Sequence, residues 1–325
     1  MRLVRWFGGL ACVAALFGTA PSASAQDFPT RAVRLVVAFP AGGPTDFVAR
    51  LLADKVKGIL GQSVLVENRS GANAAIGADY VAKSEPDGYT LFFTTISAVA
   101  LNPHMRADLP YDPVRDFAPV TRVVLTTEVL VVSAKSPIKT VKELVDLAKE
   151  KNGGLPMEST GVGSLPHLAL ELFQQSAGIK VVHVPYRGAA PAVTDILGGQ
   201  VVGGFLDLPV VMPQIIGGNL RALGTASPKR DQVLPDLPTL DEQGYRDVYA
   251  DNWYALYAPA KTPALVIAKL NSAFTAALKD PEVVKKLLAA GAVPAPNTPE
   301  EMSEILKSDL ARWGKIIKAR GIKID

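Results

Sequence analysis

Short apolar runs alternate with amphipathic helical patterns along most of this 325-residue chain, and that alternation restricts what it can fold into. RLVVAF (34–39), SVLVEN (63–68) and TLFFTT (90–95) have the length and composition of strands, and helical patterns lie between them. Strands that alternate with helices form βαβ units, in which the helices cover the faces of a sheet. The sequence therefore predicts an α/β protein.

A long apolar run divides this pattern into two parts. RVVLTTEVLVVSA (122–134) is predicted to cross into a second lobe, where strand and helix patterns repeat. WYALYAP (253–259) is predicted to return to the first lobe, and two helices are expected to close the chain. The expected lobes comprise residues 27–127 plus 251–325, and residues 128–250.

Two capping boxes mark predicted helix starts. Thr140 with Glu143, and Thr298 with Glu301, have the spacing at which a threonine and a glutamate satisfy each other's free N–H groups. We therefore expect one helix after Thr140 and the last helix of the chain after Thr298.

The first 25 residues have the three parts of a secretory signal peptide. Arg2 and Arg5 precede the apolar run GGLACVAALFG, and the small-residue stretch TAPSASAQ follows it. We expect cleavage after Ala25 and export to the periplasm. Cys12, the single cysteine of the sequence, lies in this segment. A mature chain without cysteine fits a bacterial periplasm better than a disulfide-stapled secreted protein.

The charge of the chain is nearly balanced. It has 34 lysines and arginines against 31 aspartates and glutamates, and the signal segment accounts for two of the arginines. Proteins that bind nucleic acid need a basic face, so we expect no nucleic acid partner. No later apolar run approaches the roughly 18 residues that a membrane-spanning helix needs.

Three turns share one construction: a strand end, a run of small residues, and a helix start with proline in its first turn. They are FPAGGPTD (39–46), STGVGSLPHL (159–168) and PYRGAAPA (185–192), with Gly43 and Ser164 as predicted N-caps. Free N–H groups at a helix start attract anions. Each exposed terminus contributes only about 0.3–1 kcal/mol, so we expect anion binding only where several turns converge on one ligand.

Motifs for nucleotide binding and catalysis are missing. No turn has the lysine of a P-loop, and Pro166 occupies the place of the third glycine in G-x-G-x-x-G. No serine lies in G-x-S-x-G, and the S-x-x-K match at 136–139 precedes its helix. His104, His167 and His183 lack metal-ligand spacing. We therefore expect no catalytic residue, no metal and no cofactor.

For four side chains near these turns, the sequence does not decide between a ligand contact and another role. His167 could bond nearby backbone and orient its loop, or touch a ligand. Asp207 ends an apolar strand and could cap the following turn, or accept a hydroxyl or ammonium group. Arg187 could lie beside a bound anion or be solvated. Ser97 supplies a hydroxyl after the strand TLFFTT.

The ordered series of segments resembles the extracytoplasmic receptors of tripartite tricarboxylate transporters, also called the Bug family. The matching stretches are FPTRAVRLVVAFPAGGPTDFVAR, GQSVLVENRSGANAAIGADYVAKSEPDGYTL, LPYDPVRDFAPVT, STGVGSLPHLALELF and HVPYRGAAPAVTDIL. The resemblance implies a type II periplasmic-binding-protein fold. Two α/β lobes, each a mixed sheet flanked by helices, would close on a small ligand in the cleft between them. It also implies that backbone amides, hydroxyls and ordered water hold the carboxylates of the ligand.

The resemblance further implies a function and a set of site residues. A monomeric, non-enzymatic solute receptor would bind a di- or tricarboxylate, an aromatic acid or an acidic amino acid. It would deliver this ligand to an inner-membrane permease. Two alternative functions remain: a partner of a sensor kinase and an exported hydrolase. The implied ligand contacts are Phe39, Ala41, Gly43, Asp46 and Ser97 in the first lobe, and Thr160, Gly163, Ser164, His167, Arg187, Gly188, Ala189 and Asp207 in the second.

Overall fold

The predicted alternation of strands and helices is present in the computed structural model, which describes residues 28–324. The predicted signal peptide, residues 1–25, lies outside the described residues. The strands are β1 Val33–Val37, β2 Val64–Asn68, β3 Thr90–Thr95, β4 Phe117–Ser133, β5 Pro156–Ser159, β6 Val182–Pro185, β7 Gly203–Asp207, β8 Leu220–Thr225, β9 Asp251–Pro259 and β10 Val293–Pro294. The helices are α1 Pro44–Leu60, α2 Ala75–Ala82, α3 Asn102–Met105, α4 Val141–Glu150, α5 Leu165–Ala177, α6 Ala189–Leu197, α7 Leu208–Ile216, α8 Ala264–Leu278, α9 Pro281–Ala289 and α10 Pro299–Arg320, with a π-helical turn at Ser97–Leu101.

Strand β4 connects two groups of strands because it changes partners along its length. From Phe117 to Thr127 it pairs with β9, and from Glu128 to Ser133 it pairs with β7 and β8, all antiparallel. The first group continues through β3 to the parallel strands β1 and β2. The second group continues from β7 to the parallel strands β5 and β6. The result is a two-lobed α/β architecture.

Helices cover both faces of the first group of strands. Helices α1 and α8 bury Leu52 and Phe274 against one face, and α10 buries Trp313 on the other side. Covered faces are what near-continuous apolar strands such as β1 and β3 require. Within residues 28–324, no helix combines the length and apolar character needed to cross a membrane.

The two predicted capping boxes are confirmed, whereas the number of closing helices is wrong. Thr140 and Thr298 each accept a hydrogen bond from the N–H three residues on, and the glutamate there bonds back to the cap. Three helices, not two, follow β9. Asp280 is the N-cap of α9, and Pro281 is its first helical residue. The expected first helix is therefore divided into α8 and α9.

Candidate functional site

A cavity of about 740 Å³ lies where strand ends of both groups meet the three predicted turns. Its wall also includes residues 70–74, before α2, and parts of β4 and β9. Three predicted contact residues, Asp46, Gly163 and His167, are not part of the lining. The predicted contact residues that do line it are Phe39, Ala41, Gly43, Ser97, Thr160, Ser164, Arg187, Gly188, Ala189 and Asp207.

Asp46 fixes the first turn from within helix α1. Gly43 is the N-cap of this helix and provides no capping side chain. The buried carboxylate of Asp46 instead accepts hydrogen bonds from the N–H of Gly42, from Asn68 Nδ2 and from Arg50 Nε, each at 2.9 Å. Burial by itself would raise the pKa of Asp46, but these hydrogen bonds outweigh burial and lower the pKa below its ordinary value.

Ser164 and His167 hold the second turn. Ser164 is the N-cap of α5, and its Oγ accepts from the N–H of His167 at 3.4 Å and donates to the carbonyl of Gly161 at 2.7 Å. The N–H of Gly163 donates to Nδ1 of His167 at 3.1 Å. This geometry agrees with the loop-orienting alternative for His167.

His167 also stacks on a second histidine. The rings of His167 and His183 lie 4.0 Å apart at an angle of 5°. Nε2 of His183 lies 2.6 Å from the hydroxyl oxygen of Ser159, at the end of β5. Burial, with a smaller effect of the neighbouring His183, lowers the pKa of His167 to about 4. The His167 ring is therefore neutral at physiological pH, which leaves Nδ1 free to accept from the turn.

Within the described residues, no side chain caps the third turn. Gly188 is the N-cap of α6, has a φ of +107° and provides no side chain. The preceding Arg187 is exposed, lines the cavity, and forms no ion pair within the described part of the chain. A cation thus lies at the cavity edge beside a helix N-terminus.

The loop before α2 was missed by the sequence analysis and contributes much of the wall. Gly71, Ala72, Asn73 and Ala74 have consecutive positive φ angles of +130°, +48°, +50° and +72°. Nδ2 of Asn73 donates to Asn102 Oδ1 at 2.9 Å and to the carbonyl of Gly163 at 3.3 Å, in the second turn. The segment GAN contained a hint, because glycine and asparagine tolerate the left-handed region. Nothing local predicts two alanines there.

We expect Ala72→Gly to stabilise the protein. Ala72 is exposed and has a φ of +48°, so glycine would remove strain of about 1 kcal/mol without removing packing. The melting temperature should rise by about 2 °C. Ala311→Gly, at an exposed position within α10, should instead lower stability by about 1 kcal/mol. A melting temperature of Ala72→Gly below that of the wild type would show that the backbone at Ala72 is not strained.

Acidic and amide side chains form the floor of the cavity. Asp207 Oδ2 accepts from the hydroxyl of Tyr254 at 2.5 Å and from Asn252 Nδ2 at 3.2 Å, and Glu128 lies beside it. Asp207 occupies the N-cap position of α7 but makes no side-chain capping bond there. Glu128 and Asn252 were missed, since strand pairing alone brings them to this floor. Between residues 28 and 324, no group of three or more His, Cys, Asp or Glu side chains is placed to hold a metal ion.

Comparisons with known proteins agree with this architecture. Residues 48–322 match the model of a family described as "Tripartite tricarboxylate transporter family receptor". BugT of Bordetella pertussis is 36% identical over 325 residues, which is 100% of both chains. A solved R. palustris protein with adipate is 35% identical, with a TM-score of 0.87, and the match covers 91% of this chain and 99% of that one. MatC from Rhodopseudomonas palustris with bound malate is 31% identical, with a TM-score of 0.82, over 89% of this chain and 100% of its own.

Proposed function

Because the chain belongs to the family of tripartite tricarboxylate transporter receptors, we propose that it captures a small organic carboxylate and delivers it to a membrane transporter. Members of the family are periplasmic solute-binding receptors rather than enzymes, and this chain is one of them. Its fold is the periplasmic-binding-protein fold, with the ligand cleft between two α/β lobes.

The convergence of three helix N-terminal turns on one cavity carries this proposal. Helices α1, α5 and α6 begin at Gly43, Ser164 and Gly188, and all three caps line the cavity. The positive ends of three helix dipoles and several free N–H groups therefore face the same space. A carboxylate would accept hydrogen bonds there without an arginine clamp. The adipate and malate in two solved relatives are small dicarboxylates.

The predicted contact residues keep two roles in this proposal. Those that line the cavity would bind the ligand directly, through backbone N–H groups and the hydroxyls of Ser97, Thr160 and Ser164. Asp46 and His167 would act from outside the lining, by holding the first and second turns.

We further propose the lobe boundaries and the export route predicted from the sequence. The change of partners in β4 between Thr127 and Glu128 supports a boundary there, and the pairing of β9 with β4 from Asp251 supports the return. The bond between Asn73 and the carbonyl of Gly163 would then join the lobes across the cleft. Residues 1–25 would be a signal peptide, and the mature receptor would be a monomer.

Titration calorimetry with ligand-free protein tests the binding step. The panel should contain dicarboxylates, tricarboxylates, aromatic acids and acidic amino acids, and at least one should bind. Folded protein that binds no member would overturn the proposal.

Delivery is tested by uptake of the bound acid into cells that carry or lack this receptor. Unchanged uptake, with ligand-dependent capture of a sensor kinase, would favour the signalling alternative.

We expect Arg187→Gln to weaken carboxylate binding about threefold to tenfold. The exposed guanidinium lies at the cavity edge, so water screens its attraction for the anion and the effect is modest. The weakening should shrink as salt is added. Arg230→Gln removes a surface arginine that pairs with Glu242 away from the cavity, and it should leave the affinity unchanged. Equal effects of the two variants would contradict a role for Arg187.

A further inference from the structure

Two carboxyl groups lie side by side at the floor of the cavity. Glu128 of β4 and Asp207 of β7 are paired residues of adjacent antiparallel strands, so their side chains lie on the same face of the sheet. Both line the cavity, and their exposed fractions are only 0% and 9%. Neither carboxyl forms an ion pair with any residue from 28 to 324.

Hydrogen-bond acceptors at this floor exceed the donors. Tyr254 and Asn252 both donate to the same oxygen, Oδ2 of Asp207. Within the described part of the chain, Oδ1 of Asp207, both carboxyl oxygens of Glu128 and Oδ1 of Asn252 have no partner, and neither has the hydroxyl of Thr126, a nearby donor that acts on Asp207. Asn252 is itself 6% exposed and lines the cavity. Buried acceptors without donors cost free energy, so a group that brings donors would be bound favourably.

The three turns that line the same cavity have the opposite character. They present the N-terminal ends of three helices, and Arg187 adds a positive charge. The cavity therefore combines helix N-termini and a cation with a group of buried acceptors. A ligand that matches both has a carboxylate and a cationic donor.

We propose that the ligand is an amino acid, whose carboxylate lies at the turns and whose ammonium group lies against Asp207, with Glu128 and Asn252 as further acceptors. The inference rests on the proposed carboxylate function and adds the group at the other end of the ligand. An ammonium group brings three donors and a positive charge. A second carboxylate would bring only acceptors and a like charge to the same atoms.

The titratable groups around the floor should make the affinity for an ammonium group depend on pH. Asp207 is faced by Glu128 and by the hydroxyl of Tyr254. Arg187 lines the same cavity, and Glu158 is a further buried carboxyl on β5, outside the lining. Burial raises the pKa of Asp207, and burial together with the neighbouring carboxyls raises that of Glu128. Because burial raises the pKa of Asp207 to about 6, its protonation in mild acid should weaken ammonium binding, whereas it would give a second carboxylate a new donor.

Calorimetry with matched pairs of acids tests the proposal. In 3-aminopropanoate and 4-aminobutanoate, an ammonium group replaces one carboxylate of succinate and glutarate. L-aspartate and L-glutamate add an α-ammonium group to the same two skeletons. We expect at least one amino acid to bind about tenfold more tightly than its matched dicarboxylate near neutral pH. Its affinity should fall as the pH is lowered by about two units.

Substitutions of residues at the floor distinguish the amino acid inference from the broader proposal of carboxylate binding. Asp207→Asn should weaken amino acid binding about tenfold or more and affect dicarboxylates less. Glu128→Gln keeps the shape of the side chain and should act in the same direction. Asp309→Asn, which changes a half-buried carboxyl bonded to Trp253 outside the cavity, should leave the preference unchanged. Circular dichroism confirms that each variant is folded.

The possible outcomes are distinct. Dicarboxylates that bind at least as tightly as their amino acid partners, or tighter in acid, would overturn the amino acid inference and leave the carboxylate function standing. A preference that Asp207→Asn and Glu128→Gln both leave intact would also overturn it. If no member of either set binds, the proposed function fails together with this inference.

Discussion

Asp46→Ala is expected to weaken carboxylate binding about a hundredfold and to lower the free energy of unfolding by about 3 kcal/mol. The carboxylate of Asp46 is 3% exposed and accepts hydrogen bonds from Gly42, Asn68 and Arg50. Alanine would leave these three donors without their shared acceptor. The first turn would then lose a buried group that fixes its backbone through Gly42, so a ligand would have to order more of the turn itself.

Three variants make this result specific. Asp54→Ala is the same change on the same helix, at a residue whose exposed carboxylate pairs with Lys57, and it should leave the free energy of unfolding nearly unchanged. Asp46→Asn keeps one acceptor oxygen and should recover part of the affinity. Glu67→Ala removes a partly exposed carboxylate on β2, next to Asn68, and ligand binding should persist. Calorimetry gives the affinities and urea unfolding the stabilities. Wild-type affinity in a folded Asp46→Ala protein would show that Asp46 does not position the turn.

Features set by neighbouring residues were predictable from the sequence. The caps at Ser164, Thr140 and Thr298 follow from short-range hydrogen bonds between a cap and the next three residues. The cap at Gly43 follows from the proline in the first helical turn. Strands such as β3 follow from an apolar run of the right length. The missed break between α8 and α9 had a local cause as well, since Asp280 followed by proline is a helix start.

Features set by long-range pairing were not predictable in the same way. Glu128 and Asn252 reach the floor because β4 pairs with both β7 and β9, over sequence separations that no local pattern specifies. Asp46 and His167 illustrate a different limit. Side chains in the first turn of a helix point back toward its N-terminus, so both could either contact a ligand or hold their own loop. The structure shows the loop contacts of each.

The stability of the protein should depend on the protonation of His167. Burial first, and His183 second, lower its pKa to about 4, compared with about 6.5 in an unfolded chain. Above pH 6.5 the ring is neutral in both states, and its contribution to stability is fully present. As the pH falls from about 6.5 to about 4, the unfolded chain takes up the proton first, so that contribution is lost. The raised pKa values of Glu128 and Glu158 act in the opposite direction, because the folded state takes up their protons first.

His167→Gln isolates the histidine from these carboxyls, because both proteins share them. Glutamine does not titrate, and its oxygen can accept from the N–H of Gly163 in place of Nδ1. Between pH 7 and 4, wild type should lose about 3 kcal/mol more stability than His167→Gln, as measured by urea unfolding at each pH. Parallel curves for wild type and His167→Gln would mean that protonating His167 costs the folded state nothing. Because the protonated ring can no longer accept from the second turn, a real difference should be accompanied by weaker ligand binding over the same pH range.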